Sequence, residues 1–168
     1  MSVRLRPVTT ADLDVLERLD TEEASGPYNW NGHQAPGRHH EILMRDGYLG
    51  ADRGALMVVT DDQVAGEVSW HGVDYGPPPA SRCWNIGITL LPEHRGRGIG
   101  TAALRALADY LFATTLVERV EASTDVTNVA EQRALEKAGF TREGVARHAQ
   151  FRQGAWHDMV VYARLRGD

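Results

Sequence analysis

Thiols are almost absent from this 168-residue chain: Cys83 is its one cysteine. No disulfide can close within the chain, and a reducing, cytoplasmic setting is expected. Long apolar runs are missing as well. No stretch approaches the roughly 20 residues that cross a bilayer, and the start, Met1-Ser-Val-Arg-Leu-Arg, lacks an apolar signal core, so no membrane association is expected. Basic residues fall short of acidic ones, 18 against 23, for a formal charge of −5. That balance is the reverse of the basic footprint of a nonspecific nucleic-acid binder. Metal-ligand spacings are lacking too. His33, His39 and His40 are accompanied by neither a cysteine cluster nor an H-x-x-x-H pair, so no metal is expected.

What is present suits an ordinary globular protein, with 42% hydrophobic and 24% charged residues. The length fits one domain able to bury a core, and no linker, repeat or low-complexity segment divides residues 1–168. Val3–Val8 alternates as a first strand. Thr9-Thr-Ala-Asp12 forms a capping box for a helix bearing Leu13, Leu16 and Leu19 on one face. Residues 20–54, rich in Gly, Pro, His and aromatics, read as irregular with a short helix near Glu41–Arg45. Tyr28 and Trp30 there are candidates to line a recognition pocket. Ala55–Thr60 and Val64–His71 read as a hairpin, and Tyr75–Ser81 as a proline-broken loop. Beyond it come a strand over Trp84–Leu90, a helix over Gly100–Ala113, a strand over Val117–Ser123 and a helix over Asn128–Ala138 closed by Gly139. A last antiparallel pair, Val145–Phe151 with His157–Leu165, turns at Gln153-Gly154. The order is mixed α/β with a mostly antiparallel start.

The segment between the fourth strand and the next helix carries the chemistry. Leu90-Leu-Pro-Glu-His-Arg95-Gly-Arg-Gly98-Ile-Gly100-Thr101 is a glycine-rich turn running into a helix N-terminus. Bare amides there converge on an anion, aided by the helix dipole. Glycines allow close approach of the ligand. The pattern points to a phosphate-bearing ligand. A Walker loop would need a lysine before Thr101, and a dinucleotide fingerprint would need G-x-G-x-x-G early in a βαβ unit; neither fits.

Arg95-Gly-Arg-Gly98-Ile-Gly100 matches the R/Q-x-x-G-x-G/A signature of the GNAT superfamily of acetyl-CoA-dependent N-acetyltransferases. Asn128 through the Leu135-Glu-Lys segment to Gly139-Phe140 resembles that family's second block. The L-E-K form and the start Arg4-Leu-Arg-Pro are similar to the branch containing the ribosomal-protein N-terminal acetyltransferases. The resemblance spans essentially the whole chain. It implies a GNAT-like mixed, mostly antiparallel central sheet flanked by helices, with a splayed strand pair holding the cofactor. It implies acetyl transfer from acetyl-CoA to a primary amine, a protein N-terminus or a small molecule, by direct attack in a ternary complex. A homodimer is compatible with it. The amides of Gly96, Arg97, Gly98, Ile99, Gly100 and Thr101, with Arg95 and the Thr101 hydroxyl, would hold the pyrophosphate. The main chain of Ile88, Thr89 and Leu90 would pair with pantetheine, one amide polarising the thioester carbonyl. Gly87 would mark the bulge that splays the strands. Asn128 would contact the pantetheine arm while capping its helix.

The proton-handling residues do not carry over. Where many relatives have a tyrosine, seven residues after the asparagine, this chain has Leu135; where the L-E-K branch often has serine, it has Glu131. An ammonium still needs a base before it can attack. Glu67, Ser69 and His71 alternate along one strand and share a face, so Glu67, His71 and Glu131 are the candidate catalytic residues. Alternatives to the acetyltransferase are a noncatalytic acyl-CoA-binding sensor or interaction module, and a transferase of longer acyl chains, admitted by a wide cleft beside Trp84.

Overall fold

The computed structural model describes residues 2–168. Strand β2 (Arg53–Thr60) is apolar along nearly its whole length, and Gly54 through Thr60 are buried, as a strand covered on both faces requires. β1 (Val3–Arg6) lies on one side of it and β3 (Gln63–Asp74) on the other, both antiparallel. β4 (Arg82–Leu90) continues the antiparallel set. Then the chain crosses over through helix α4 (Ile99–Thr114) to β5 (Arg119–Asp125), which with β4 makes the one parallel pair among the described residues. The hairpin of β6 (Thr141–Arg152) and β7 (Ala155–Leu165) completes a seven-stranded sheet in the order β1-β2-β3-β4-β5-β7-β6. Its turn falls at Gln153-Gly154, both with positive φ, as a tight hairpin requires.

Alternation along β2 divides the core. Val58 and its neighbours Leu56, Val68 and Trp70 pack against Ile99, Ala103, Leu107 and Leu111 of α4, with Leu135 of α5 (Val129–Lys137) completing that cluster. Met57 points the other way, to Leu16 and Leu19 of α1 (Leu13–Leu19) and to Tyr48. Each such leucine, wholly removed from water, contributes roughly 1.5–3 kcal/mol relative to an exposed one. The predicted capping box opens the first helix with a 3₁₀ turn at Thr10–Asp12. Asp12 accepts from the Thr9 amide and hydroxyl, both at 2.8 Å, and from both ends of the Arg6 guanidinium at 2.7 Å.

Residues 20–54 are more helical than their composition suggests. α2 (Glu22–Asn29) starts where the Thr21 hydroxyl accepts from the Ala24 amide, and it kinks at Gly26, whose φ is +68°. α3 (Arg38–Asp46) is bounded by Gly37 and Gly47, both left-handed. These glycines bound or kink helices rather than dissolving them; the short helix expected near Glu41–Arg45 is the body of α3, whereas α2 forms in a stretch whose composition reads as irregular. α1 and α3 cover one face of the sheet, while α4 and α5 cover the other.

Near the site no irregularity falls at Gly87, which pairs regularly with Ser69. An irregularity lies one strand away. The β2–β3 register shifts between Val58 and Val59, leaving Ala65 as the extra residue beside Gly66. A Cβ on Gly66 would stand 2.1 Å from the Thr89 carbonyl oxygen and 2.8 Å from the Leu90 Cα. Only glycine lets β3 approach β4 this closely, at the end of β4 that leads to the glycine turn. Gly66→Ala is therefore expected to cost about 1–3 kcal/mol in urea denaturation. Gly87→Ala, whose Cβ would meet only the Ser69 hydroxyl at 3.6 Å, should change stability by less than about 0.5 kcal/mol or raise it slightly.

Candidate active site

β4 and β5 share two residue pairs, Trp84 with Val120 and Asn85 with Glu121, and then part. From Ile86 onward the edge of β4 that faces β5 has no strand partner, and the gap opens beside the N-terminus of α4. A cavity of about 520 Å³ fills this gap. Ile88, Leu90, Gly96, Gly98, Gly100 and Thr101 line it from the sheet and turn; Asn128, Glu131 and Lys137 line it from α5.

The glycine turn is built to receive an anion. Among the described residues, no amide from Gly96 to Thr101 finds an acceptor in the protein; the first to do so is Ala102, bonded to the Gly98 carbonyl. Gly98, left-handed at φ +78°, caps α4 without any side-chain bond. A Cβ at Gly96 or Gly98 would meet nothing within 4 Å, because both face open space. The free amides, open approach and positive end of a 16-residue helix fit a diphosphate. Arg95 lines the cavity, but its guanidinium donates to the Leu90 carbonyl and to that of Ala24 on α2, fastening that helix to the turn. Arg97 is exposed and outside the cavity lining, and Ile99 is buried in the core. Thr89 lies on β4 between two lining residues without touching the cavity.

On α5, Asn128 is the N-cap and its oxygen accepts from the Glu131 amide at 3.4 Å. Its side-chain nitrogen donates to the Glu131 carboxylate at 2.9 Å and to the Thr124 hydroxyl at 3.0 Å; that hydroxyl donates onward to Glu131 at 3.1 Å. The three residues form a closed triangle. Removal from water pushes the Glu131 carboxyl up to about 7, although the Thr124 and Asn128 donors pull it down. A second cavity of about 290 Å³ lies beyond, lined by Tyr28, Ser69, His71, Gly87, Ser123 and Glu131 among others. Of the three candidate catalytic residues, Glu131 alone lines both cavities.

Glu67, Ser69 and His71 do share a face, the one covered by α1 and α3, while Val68 and Trp70 enter the core. Ser69 and His71 reach the second cavity. Glu67 does not; it lines a third, of about 490 Å³, beside His39 and Tyr48. Trp84 is buried against α4, its indole nitrogen donating to the Thr115 hydroxyl at 3.2 Å, so it offers no width to the cofactor cleft. The core claims it because it alternates with Asn85 and falls on the α4 face. Tyr28 lines the first two cavities, whereas Trp30 lines none of them and packs edge-on to His33. Leu135, where relatives carry tyrosine, is wholly buried.

Two contributors had no signal in the sequence. Thr124 completes the triangle around Glu131. Asp125, next to it, anchors the roof of the second cavity: it accepts from Arg152 at 2.6 Å, from His157 at 2.8 Å, and from the Thr127 amide and hydroxyl at 2.8 and 2.7 Å. Burial works against its charge, yet these partners bring its carboxyl down to about 2. Arg152 also donates to the Tyr28 carbonyl at 3.1 Å, tying the β6–β7 hairpin to α2.

Comparison with known proteins bears on this architecture. Residues 2–141 match the family described as acetyltransferase (GNAT) domain. A probable N-acetyltransferase, YjcK of Bacillus subtilis, is 37% identical over 113 residues, which span 67% of this chain and 61% of that one. The ribosomal-protein-serine acetyltransferase of Escherichia coli is 28% identical over 110 residues, 66% of this chain and 59% of that one. The matched segments thus span about 60% of these relatives' lengths. Among solved structures, RimL, a ribosomal L7/L12 alpha-N-protein acetyltransferase in complex with coenzyme A, superposes with a TM-score of 0.77 at 22% identity, covering 98% of this chain and 94% of that one. With its glycine turn, parted strands and matching family pattern, the chain belongs to the GNAT acetyltransferase family.

Proposed function

We propose that residues 1–168 form one acetyltransferase domain that moves an acetyl group from acetyl-CoA to a primary amine, a protein N-terminus or a small molecule, by direct attack in a ternary complex. One observation carries this reading: Glu131, a carboxyl pushed up to about 7, stands between the cavity built for an anionic cofactor and a separate chamber. A base poised near neutrality at that junction is what an ammonium acceptor needs before it can attack. The single thiol, Cys83, is buried and fits a reducing, cytoplasmic setting. The noncatalytic acyl-CoA-binding module is the rival reading, favoured by Leu135 in place of tyrosine; the position of Glu131 weighs against it.

Acetyl-CoA supplies an acyl group activated as a thioester. The free amides of Gly96, Arg97, Gly98, Ile99, Gly100 and Thr101, with the Thr101 hydroxyl, take its pyrophosphate. Arg95 holds the turn and α2 together beside it, and Arg97 adds positive charge from the outside. The unpaired edge of β4 over Ile88, Thr89 and Leu90 orders the pantetheine arm, and one amide there polarises the carbonyl. Asn128 serves as cap, as pantetheine contact and as donor to Glu131. Glu131 takes the proton from the amine, with Thr124 and Asn128 fixing its rotamer. His71 faces the same chamber and helps orient the acceptor. Catalysis rests on orientation and carbonyl polarisation, with proton removal a smaller share.

Release of free coenzyme over a panel of amines, including peptides with free N-termini, tests the reading; no turnover with any amine would overturn it. Three variants sharpen the test. Gly98→Val should abolish acetyl-CoA binding in calorimetry while the thermal melt stays cooperative, because the new side chain projects into the phosphate's approach. The rate of the parent enzyme should rise with pH through about 7 as Glu131 loses its proton. Glu131→Gln should remove that limb and lower the rate by roughly 10²–10⁴-fold. Asn128→Ala should cost about 1 kcal/mol of stability through the lost cap. It should also move the limb to higher pH, since it deletes a donor that favours the charged carboxylate; an unmoved limb would leave Asn128 a cap alone.

A further inference from the structure

The third cavity, on the α1–α3 face of the sheet, is not used by the chemistry above. It joins the acceptor chamber through Ser69 and His71, which line both. At its inner end stands Glu67, paired across the sheet with Met57 on β2 and Thr89 on β4. Among the described residues, no side chain or main-chain donor reaches the Glu67 carboxylate. Glu67 is half-buried at the wall of this cavity, so it presents an unpaired carboxylate to whatever enters, a ready acceptor for a cationic group.

The other charges around the cavity are spoken for or distant. Asp20 accepts from His39 at 2.7 Å and lies 3.6 Å from Arg38. His39 is held on its second nitrogen by the Tyr48 hydroxyl. Asp52 pairs with Arg82 at 2.7 Å. Arg53 is exposed and sits opposite His71, four strand residues from Met57, which is roughly 13 Å away along β2. Burial pushes the Glu67 carboxyl up; His39 opposes that, Asp20 adds to it, and Arg38 opposes it again. Ser69, which faces Gly87 in the acceptor chamber, is one pleat period from Glu67, about 7 Å.

We propose that the amine acceptor carries a second cationic group, a few bonds beyond the reacting nitrogen, and that Glu67 receives it. The proposal rests on the acetyltransferase reading and deepens it. The reacting amine lies in the chamber by Glu131, the acceptor's body passes over Ser69 and His71, and the distal cation forms a charge-assisted hydrogen bond with Glu67. Two sources share this chemistry: a free diamine, and a polypeptide N-terminus followed by a basic residue. In both, specificity comes from leaving Glu67 unpaired when the second cation is missing.

The test compares ligands that differ only in that cation. 1,5-Diaminopentane is set against pentylamine, and the amide of Ala-Lys against that of Ala-norleucine, by calorimetry on coenzyme-A-saturated protein and by kcat/KM. In at least one pair the dicationic member should bind and react about ten-fold better or more, and Glu67→Gln should bring that ratio to within about two-fold. Glu67→Asp should keep the preference and move it towards the next longer diamine or a longer basic side chain. The diamine arm identifies a free diamine, the dipeptide arm a chain terminus. No preference in either arm, or a preference that survives Glu67→Gln, overturns the proposal. So does a Glu67→Gln enzyme that loses kcat equally for all amines together with the pH limb, since that would make Glu67 the base. If a Glu67-dependent binding preference is measured without turnover of any amine, the acetyltransferase reading fails while the dicationic site stands.

Discussion

Two strands that begin a parallel pairing and abandon it after Asn85 and Glu121 open the largest gap in this sheet's hydrogen bonding. A main chain that stops pairing in the middle of a sheet carries N–H and C=O groups which must find other partners. Here the parting coincides with six amides at the start of α4 that also lack acceptors. The same opening therefore holds both an unpaired hydrogen-bonding edge and an electropositive helix end, the second of which favours an anion. The surroundings keep the gap open. Gly66 lets β3 come within contact of the β4 backbone at Thr89 and Leu90. Leu104 and Leu107 bind α4 to the core, and α5 stands across the gap on the far side.

Two neighbouring carboxylates near the end of β5 show how environment divides their roles. Asp125 is surrounded by donors and held down to about 2; Glu131, with two neutral donors and little water, is held up to about 7. Asp125 is thus a permanent anion and a structural clamp, gathering Arg152, His157 and Thr127 and, through Arg152, the main chain of Tyr28. Glu131 is left able to exchange a proton near neutral pH. Titratable groups pushed apart in this way mark a division of labour between holding and reacting.

α2 is the element on which both cavities converge. It is held at one end by the Arg95 guanidinium on the Ala24 carbonyl and at the other by Arg152 on the Tyr28 carbonyl. Past its kink at Gly26, Tyr28 and Asn29 line the first and second cavities alike. A short helix with a glycine and a proline inside would not be stable alone. Tertiary bonds to its carbonyls hold it in place.

Local chemistry made much of this protein legible in its sequence. Alternation along Val64–His71, the aliphatic period of α4, the Asn128 cap and the Gln153-Gly154 turn each express a preference satisfied within a few residues, and each element formed where expected. The conformation of the glycine turn from Arg95 to Thr101 was legible for the same reason, since it follows from backbone freedom at Gly96 and Gly98. Tertiary structure alone decided which carboxylate stands between the two cavities. Glu67 and His71 lie on one strand face by local geometry, but whether that face looks into the chamber depends on α1 and α3, packed there from 20 or more residues earlier in the chain. The same holds for Gly66 over Gly87 as the close-approach glycine, for Trp84 as core rather than cleft, and for Thr124 and Asp125 as partners of distant groups. Those assignments depend on what distant segments bring opposite each residue, and a contact between segments far apart in the chain leaves no periodicity or spacing in the sequence itself.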